Sequence, residues 1–396
     1  MAKRRVILVM IEPPLPFGNA AGRWLYVLLK GLVERGHEVV AFAACAKPEE
    51  IAKSRALFPA PDYDLRLYPF PVREGLGAKL ETALRPHSFM FGPEFRRDLD
   101  AELAKGCDIL HLEQLWSGWL ALDHPDRALV SVHYLLGIDL GEFRPKTWRG
   151  RLEQGLAFRA ERKLIRRLKH FRACSDRIAA PIAEAHPGAE VDVVPFGLDS
   201  TLYGFIPEAR RGDEQVLSLI GSMNWYPGLS AAIRLLTRLW PEIKRKVPGA
   251  KLQIVGWAAR SALRDYLDLP DVTIAEDVPE IQPYFDRTSV LLYAPVRGSG
   301  MKMKVLESMA FGVPVVTTTE GVEGIPALDG VHAGVADDDA GLIERTVALL
   351  LDPARQERQR VEARRLLESH CGPEATVSAI ERIYDRMLAR PEVSRT

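Results

Sequence analysis

A glycine-flanked turn leads into a predicted helix in the segment RGSGMKMKVLESMAFGVPVV, which spans residues 297–316. Gly298 and Gly300 have no Cβ atom, so the chain can turn sharply there and its backbone N–H groups can approach an anion. The helix predicted to start near Met301 directs the positive end of its dipole at the same place. This segment therefore has the chemistry to bind a phosphate group.

Charged side chains on the first turns of the same helix suit a nucleoside diphosphate. Lys302 and Lys304 supply positive charge for a pyrophosphate. Glu307 lies about 60° around the helix from Lys304, where its carboxylate can accept hydrogen bonds from ribose hydroxyls. The alternative is a turn whose lysines are only solvated, which would be the better interpretation of an isolated Gly-x-Gly pair. The paired lysines with a glutamate close behind favour nucleotide binding.

The composition is that of a globular protein without a nucleic-acid partner. Of 396 residues, 47% are hydrophobic and 27% are charged, and Lys plus Arg equals Asp plus Glu at 53 each. This length suffices for two domains with buried cores. A general nucleic-acid binder would carry a net positive charge, so nucleic acid is excluded as a partner.

Cysteine usage and the first residues predict a cytoplasmic protein. The four cysteines are far apart and form no Cys-x-x-Cys pair, so neither a disulfide framework nor a zinc site is indicated. Residues 1–5 lead directly into the strand-like run 6–10, which is too short for a signal-peptide core. No apolar run approaches the length of a membrane span.

Short apolar runs rich in β-branched residues alternate with longer helical stretches, a pattern typical of parallel sheets covered by helices. The pattern appears in two series, which predicts two doubly wound α/β domains. The predicted strands are 5–11, 38–44, 107–112, 128–133, 171–175 and 191–195 in the first series, and 215–221, 251–256, 272–275, 289–294 and 313–318 in the second.

The segment between the two series, PFGLDSTLYGFIPEARRGDEQ, is rich in turn formers and predicts an interdomain linker. We therefore expect an amino-terminal domain over 1–199 and a carboxy-terminal domain over 200–374. A final helix is predicted over 373–390, and residues 375–396 are expected to pack back on the first domain. The apolar face of that helix comprises Val377, Ile380, Ile383, Tyr384 and Met387.

Four motifs of the second series resemble those of the GT-B glycosyltransferases of family 4: VLSLIGSMNW, KLQIVG, VPEIQPYF and YAPVRGSGMKMKVLESMAFGVPVVTTTEGVEGI. The resemblance implies two Rossmann-like domains facing each other across a cleft. It also implies transfer of a sugar, with retention of configuration, from a nucleoside-diphosphate sugar to a hydroxyl group of a glycan, lipid-linked or small-molecule acceptor. Family frequency favours a UDP-sugar, with a GDP-sugar as the alternative, and no permanently bound cofactor is implied.

The resemblance assigns roles to residues around the glycine turn. Glu307 would hold the ribose, and Ser299 stands where many members have a glutamate that contacts the donor sugar. Lys302 and Lys304 would stabilise the leaving diphosphate, with Lys302 as the first choice because it is nearer the helix start. The other predicted donor contacts in this turn are Gly298, Gly300 and Met301.

Further donor contacts are implied at Gly221, Ser222 and Val278. Many family members carry an arginine and a lysine shortly after the glycine of GSMNWYPG, whereas Ser222 and Gly228 are uncharged. Val278 would pass near the nucleobase. No Asp-x-Asp motif is positioned for phosphate binding, since the run 337–339 reads as a surface turn, so a metal-independent reaction is predicted.

The amino-terminal half supplies three further candidates. Gly18 and Asn19 precede an amphipathic helix predicted from about Ala20 to Arg35, and they stand where the family's glycine loop faces the donor phosphates and the acceptor. The alternative for Gly18 is a simple turn residue, and the spacing is not the Gly-x-Gly-x-x-Gly of nicotinamide-binding proteins. His133 ends the strand ALVSVH and aligns with a family histidine that positions the transferred sugar. A structural histidine is the alternative.

Two other features have both a functional and a structural interpretation. His111 and Glu113, with Trp116 and Trp119 nearby, could line an acceptor pocket or could belong to the core. Residues 144–172 contain eleven Lys or Arg and two Glu interleaved with apolar residues. Such a helix could contact the inner face of an anionic membrane, or it could be a solvated helix face.

Two alternative functions remain open from the sequence. A sugar-nucleotide epimerase on the same fold would use the same phosphate site without an acceptor. A noncatalytic nucleotide-sugar-binding or scaffold protein is the other alternative, and Ser299 and the absent arginine and lysine are consistent with it.

Overall fold

The computed structural model describes residues 3–72, 75–141, 143–206 and 214–389. The chain divides into two compact units, Met1–Gly197 with Pro373–Thr396, and Leu198–Gly372. Residues 207–213 of the predicted linker, residues 1 and 2, and residues 390–396 lie outside the described residues.

The first unit contains a seven-stranded parallel sheet in the order β3-β2-β1-β4-β5-β6-β7. Its strands are β1 Arg5–Met10, β2 Glu38–Cys45, β3 Asp64–Pro69, β4 Ile109–Glu113, β5 Ala128–Val132, β6 His170–Ala173 and β7 Glu190–Val193. The helices between them are α1 Ala20–Glu34, α2 Pro48–Leu57, α3 Leu76–Leu84, α4 Pro93–Ala104, α5 Leu136–Asp139, α6 Trp148–Arg167 and α7 Asp176–Ala185. The central strands β4 and β5 are buried at every residue, as expected of parallel strands covered on both faces.

The second unit contains a six-stranded parallel sheet in the order β10-β9-β8-β11-β12-β13. Its strands are β8 Val216–Ile220, β9 Lys251–Val255, β10 Val272–Ala275, β11 Val290–Tyr293, β12 Val315–Thr317 and β13 Gly334–Val335. Its helices are α8 Tyr226–Arg234, α9 Trp240–Lys246, α10 Ala259–Ala262, α11 Gln282–Arg287, α12 Met303–Phe311, α13 Asp339–Leu351 and α14 Pro353–His370.

The last helix, α15 Pro373–Leu388, belongs to the first unit. The carboxylate of Glu381 accepts hydrogen bonds from His37 Nε2 at 2.9 Å and from Arg35 Nη1 at 3.1 Å, at the end of α1. The predicted apolar face is buried. Its burial is the reason that the helix returns to the first sheet.

The predicted fold class is confirmed, with two strands missed by the sequence pattern. β3 is half-exposed and carries Asp64 and Arg66, so it lacks the apolar run that marks a buried strand. β13 has two residues, too few for any periodicity. The helix predicted from near Met301 begins at Met303, because Lys302 has a non-helical backbone and forms its N-cap.

All four cysteines are free thiols, and those at 45, 174 and 371 are buried. Over the described part of the chain, the structure contains no helix with the length and hydropathy needed to cross a bilayer.

Candidate functional site

The glycine turn between β11 and α12 depends on two positive φ angles. Gly298 has φ +154° and Gly300 has φ +80°, a region that residues with a Cβ rarely adopt. A Cβ built on Gly298 would lie 2.7 Å from Pro227 Cγ, at the start of α8. The turn therefore needs glycine both for its backbone and for its close contact with the first turn of α8.

The Lys302 side chain folds back and binds the backbone of this turn. Its ammonium donates to the carbonyl oxygen of Gly298 at 3.0 Å and to that of Gly300, and lies 3.7 Å from Glu323 Oε2. The other carboxylate oxygen of Glu323 accepts from the Gly300 N–H at 3.1 Å. Lys302 is only 7% exposed. The sequence favoured Lys302 over Lys304 as the residue that contacts the diphosphate. In the structure, the Lys302 ammonium is instead bound to the carbonyl groups of the turn itself.

Lys304 lies at the point where the strand order reverses. Its ammonium is 4.1 Å from the centroid of the Tyr293 ring, at the end of β11. A Cβ built on Gly221, which follows β8, would lie 2.6 Å from that nitrogen, and one on Gly228 in α8 would lie 3.8 Å from it. β8 and β11 are neighbours although β9 and β10 separate them in sequence, which makes this edge a topological switch point, where ligands of doubly wound sheets bind.

The structure brings Gly221 and Lys304 together, and Gly298 contacts Pro227 in the first turn of α8. Glu307 and Met301 are buried, and Ser299 is half-buried in the turn. The Ser222 hydroxyl donates to Asn224 Oδ1. Val278 follows β10, two strands from β8, and borders a shallow cavity of about 380 Å³ that is also lined by Pro279, Glu280, Pro283, Tyr284 and Arg287.

In the first unit, Gly18 and Asn19 precede α1. Gly18 is exposed with φ +108°, and Asn19 is the N-cap residue of α1. The Asn19 side chain hydrogen-bonds to Glu12, a half-buried residue just after β1. Burial raises the pKa of Glu12 to about 7, with a further increase from Glu50, although the Asn19 hydrogen bond lowers it. Glu12 is thus poised to exchange a proton near neutral pH.

His133 belongs to a buried network that begins in α15. The Tyr384 hydroxyl lies 2.6 Å from His111 Nδ1, and His111 Nε2 lies 3.0 Å from Glu113 Oε1. The other carboxylate oxygen of Glu113 is 2.6 Å from His133 Nε2. Ser131 also donates to Glu113 Oε1, at 2.9 Å. β4 and β5 bring these groups together because Glu113 and Ser131 are in register.

The electrostatics of this network favour a neutral His133 beside an ionised Glu113. Burial opposes ionisation of Glu113, but hydrogen bonds from His111 and His133 hold the pKa of its carboxyl well below the usual range. Burial lowers the pKa of His133 despite its contact with Glu113. Nε2–H of a neutral His133 then donates to Glu113, which leaves the lone pair on Nδ1.

The two tryptophans near this network are core residues. Trp116 and Trp119 are buried, and their indole N–H groups donate to Tyr134 Oη at 3.2 Å and to the Pro86 carbonyl at 3.1 Å. The structural interpretation therefore applies to them.

The three aspartates of the run 337–339 have structural partners. Asp337 accepts from the Thr319 N–H at 2.9 Å, Asp338 caps α13, and Asp339 accepts from Arg234 at 2.9 Å. Within the described ranges there is no group of three or more His, Cys, Asp or Glu residues that could hold a metal ion.

Two family models match the chain and together span both units. The model for Glycosyltransferase Family 4 matches residues 21–202, and the model for Glycosyl transferases group 1 matches residues 214–352. The chain is a GT-B glycosyltransferase of the family 4 type. The predicted enzyme class is therefore confirmed.

This glycosyltransferase is similar to one curated relative over most of its length and to another over less than half of it. The glycogen synthase of Mycobacterium tuberculosis is 24% identical over 416 aligned positions, which cover 96% of this chain and 94% of the relative. A GDP-mannose-dependent α-(1-6)-phosphatidylinositol monomannoside mannosyltransferase of Mycolicibacterium smegmatis is 28% identical over 203 positions, 45% of this chain and 52% of the relative.

Solved structures share the fold of the glycosyltransferase. Sucrose-phosphate synthase from Thermosynechococcus elongatus has a TM-score of 0.72 at 15% identity, covering 98% of this chain and 100% of its own. Anabaena HepE in complex with UDP-glucose has a TM-score of 0.68 at 12% identity, covering 98% and 100%.

Sequence reasoning about the glycosyltransferase missed the roles of Glu12, Tyr293 and Glu323. Glu12 and Tyr293 both lie at the carboxyl ends of strands beside a switch point. That position alone could have identified them as candidate site residues. Glu323 is four residues beyond Thr319, in a loop, and no spacing in the sequence links it to the turn that it holds.

Proposed function

We propose that this glycosyltransferase moves a sugar from a nucleoside-diphosphate sugar to a hydroxyl acceptor, with retention of configuration and without a metal ion. The observation that carries the proposal is the position of the Lys304 ammonium at the switch point, beside Gly221 and the first turns of α8 and α12. A departing diphosphate develops negative charge, and an ammonium group together with two helix N-termini stabilises it. We assign donor binding to the unit Leu198–Gly372 and acceptor binding to Met1–Gly197.

The two lysines then have different roles in the proposal. Lys304 contacts the diphosphate, and Lys302 holds the turn that presents the backbone N–H groups, since its ammonium is bound to the carbonyls of that turn. Glu307 binds the ribose, Ser299 lies near the donor sugar, and the backbone near Val278 contacts the base.

A UDP-sugar is the favoured donor, and a GDP-sugar is the alternative. HepE, which has the same fold, is known in complex with UDP-glucose, whereas the Mycolicibacterium relative is GDP-mannose-dependent. The four free thiols support a reducing compartment, and we place the reaction in the cytoplasm.

In the first unit, His133 positions the transferred sugar, and Glu113 orients the imidazole. An ionised carboxylate at 2.6 Å fixes which ring nitrogen carries the proton. Gly18 and Asn19 contribute backbone and side-chain contacts near the acceptor, beside Glu12.

The test begins with a thermal-shift panel of UDP, GDP and their sugars, because a ligand that binds the folded state raises Tm. We expect a uridine nucleotide to give the largest shift at millimolar concentration. Turnover is then measured with and without EDTA, and the anomeric configuration of the product is read by NMR. A shift with none of the nucleotides, or loss of turnover in EDTA, would refute the corresponding part of the proposal. Conversion of a nucleotide sugar without any acceptor would indicate the epimerase instead.

A further inference from the structure

One face of α6 exposes apolar and basic side chains together. Trp148 is 77% exposed and Leu152, one turn later, is 54% exposed. The stripe continues at steps of three and four residues, which fall on one side of a helix. We define the α6 face as Trp148, Leu152, Gly155, Arg159, Arg162, Lys163 and Arg166, all of which are exposed.

This α6 face is not the one that packs on the first unit. Ala160, Leu164 and Ile165 lie on the opposite side of the helix and are buried. Trp148 and Leu152 therefore expose apolar surface that the fold itself does not use. An apolar patch of this kind marks an interaction site more often than scattered single residues do.

The neighbouring helix α3 extends the apolar patch. α3 packs against α6, and its Leu80 and Leu84, one turn apart, are 62% and 58% exposed. Arg85, directly after α3, and Lys163 on α6 both lie beside the ring of Trp119, with cation-to-centroid distances of 5.9 and 5.8 Å. The two neighbouring helices thus both expose leucine side chains, and cations from both segments reach the same tryptophan ring.

Positive charge dominates the second half of the α6 face. A shallow groove of about 640 Å³ is lined by Gly155, Arg159, Arg162, Lys163, Arg166 and Arg167. The two glutamates of α6 do not neutralise it. Glu153 accepts from Arg149 at 2.9 Å, and Glu161 is buried and accepts from the N–H groups of Leu136 and Gly137 at 2.7 and 3.1 Å.

We propose that the α6 face, together with Leu80 and Leu84, binds the surface of an anionic lipid bilayer. Tryptophan and leucine suit the boundary between headgroups and acyl chains, and a cluster of arginines and lysine suits anionic headgroups. A nucleic-acid duplex would use the cations but not the exposed leucines, and the chain as a whole has no net charge. The bilayer is therefore the occupant that uses both halves of the patch.

The test is co-sedimentation of the full chain with vesicles. We expect binding to vesicles of equal parts phosphatidylcholine and phosphatidylglycerol, weakening as salt is added, and much weaker binding to phosphatidylcholine alone. Because each basic residue near such a surface contributes roughly a fivefold factor, the variant R159Q/R162Q/K163Q/R166Q should bind at least about a hundredfold more weakly. W148S/L152S should bind about tenfold more weakly.

Matched controls carry the same changes elsewhere on the surface. R238Q/R245Q/R358Q/R365Q removes four exposed arginines of the second unit, and L328S/L351S removes two exposed leucines there. Both controls should bind vesicles as the unmodified chain does. All of these variants lie outside the proposed donor site and should keep the nucleotide-induced rise in Tm. Failure of membrane binding and failure of the proposed function are therefore separate results.

Several results would overturn the proposal. They are no co-sedimentation of the unmodified chain with the anionic vesicles at low salt, equal binding by the α6-face variants, and binding of duplex DNA without vesicle binding. A dimer that dissociates on W148S/L152S substitution, without vesicle binding, would assign the face to a second copy of the chain instead.

Discussion

Two lysines only two positions apart lie in different environments. Lys302 has a non-helical backbone and turns its ammonium toward the carbonyls of its own loop, whereas Lys304 is in the first turn of α12 and reaches the end of β8. Their functions should therefore be separable by substitution.

Lys304→Met should abolish the nucleotide-induced rise in Tm and lower kcat by about 10²–10³, because the charge facing the leaving diphosphate is gone. The ligand-free protein should lose about 1–2 kcal/mol, part of it from the cation–π contact with Tyr293. Thermal shift and steady-state kinetics measure both effects. Lys302→Met is the comparison, and it should destabilise the ligand-free protein by about 3–5 kcal/mol because Glu323 loses a buried partner. If nucleotide raises the Tm of Lys304→Met as much as it raises that of the unmodified chain, Lys304 does not contact the diphosphate.

Glu113→Gln should lower kcat at least about tenfold, with little change in the KM for the donor, because His133 loses the ionised acceptor that fixes its tautomer. The pH dependence of kcat should change as well, since the pKa of His133 depends on that carboxylate. Tyr384→Phe removes only the hydroxyl at the far end of the network and should cost about 1 kcal/mol of stability with kcat nearly unchanged. Wild-type kcat in Glu113→Gln would remove His133 from the mechanism.

Glu12→Gln should flatten the pH dependence of stability. The pKa of Glu12 is raised from 4.5 to about 7 in the folded protein, so its stabilising contribution is complete below pH 4.5 and is lost as pH rises through about 7. The loss is at most about 3 kcal/mol, and solvent reaching the half-buried side chain reduces it. Urea unfolding at about pH 5 and about pH 8 should show a smaller decrease for Glu12→Gln than for the unmodified chain. Equal decreases would mean that Glu12 titrates normally.

Among the secondary-structure elements, the switch-point edge of the second sheet is built by close approach of strand ends. Gly221 and Gly256 directly follow β8 and β9 and have φ +152° and +151°. A Cβ built on Gly256 would lie 1.9 Å from the Gly221 carbonyl oxygen. These glycines therefore permit both the backbone conformation and the spacing between the two loops.

Gly256→Ala should destabilise the second unit by more than about 3 kcal/mol, since strain and a backbone clash add. Gly330→Ala is the matched control, because Gly330 has φ +77° but no atom within 4 Å of a built Cβ. It should cost only about 1 kcal/mol. Chemical denaturation measures both, and equal losses would show that the clash is relieved by movement of the loop.

At the scale of the whole molecule, the chain leaves the first unit at Gly197 and returns to it at Pro373. The returning helix α15 buries its apolar face and joins α1 through Glu381. The first unit is therefore completed by a helix that lies after the whole second unit in sequence.

Glu381→Ala should weaken the first unit by about 3–5 kcal/mol, because Arg35 and His37 lose a buried carboxylate. Hydrogen exchange should increase at amides of β1 and β2 and stay unchanged in β8 and β11. Glu374→Ala removes a solvent-exposed partner of Arg35, 2.6 Å away, and should cost at most about 1 kcal/mol. Increased exchange throughout both sheets would instead show that the two units unfold together.

The fold class, most strands and the glycine turn before α12 follow from patterns in the sequence. Apolar runs separated by amphipathic helices are typical of covered parallel sheets, and a glycine pair before a helix permits a sharp turn of the backbone. The returning helix was also predictable, because five apolar residues at helical spacing need a surface to cover.

The contacts of each charged residue depend on the tertiary packing around it. Lys302 and Lys304 are alike in type and spacing, yet the backbone at one helix N-terminus turns one into the loop and the other toward Gly221. Glu113, His111 and Tyr384 became one network with His133 because strand register and the returning helix brought distant residues together. Contacts between residues far apart in sequence depend on how elements pack, and local periodicity carries no information about that packing.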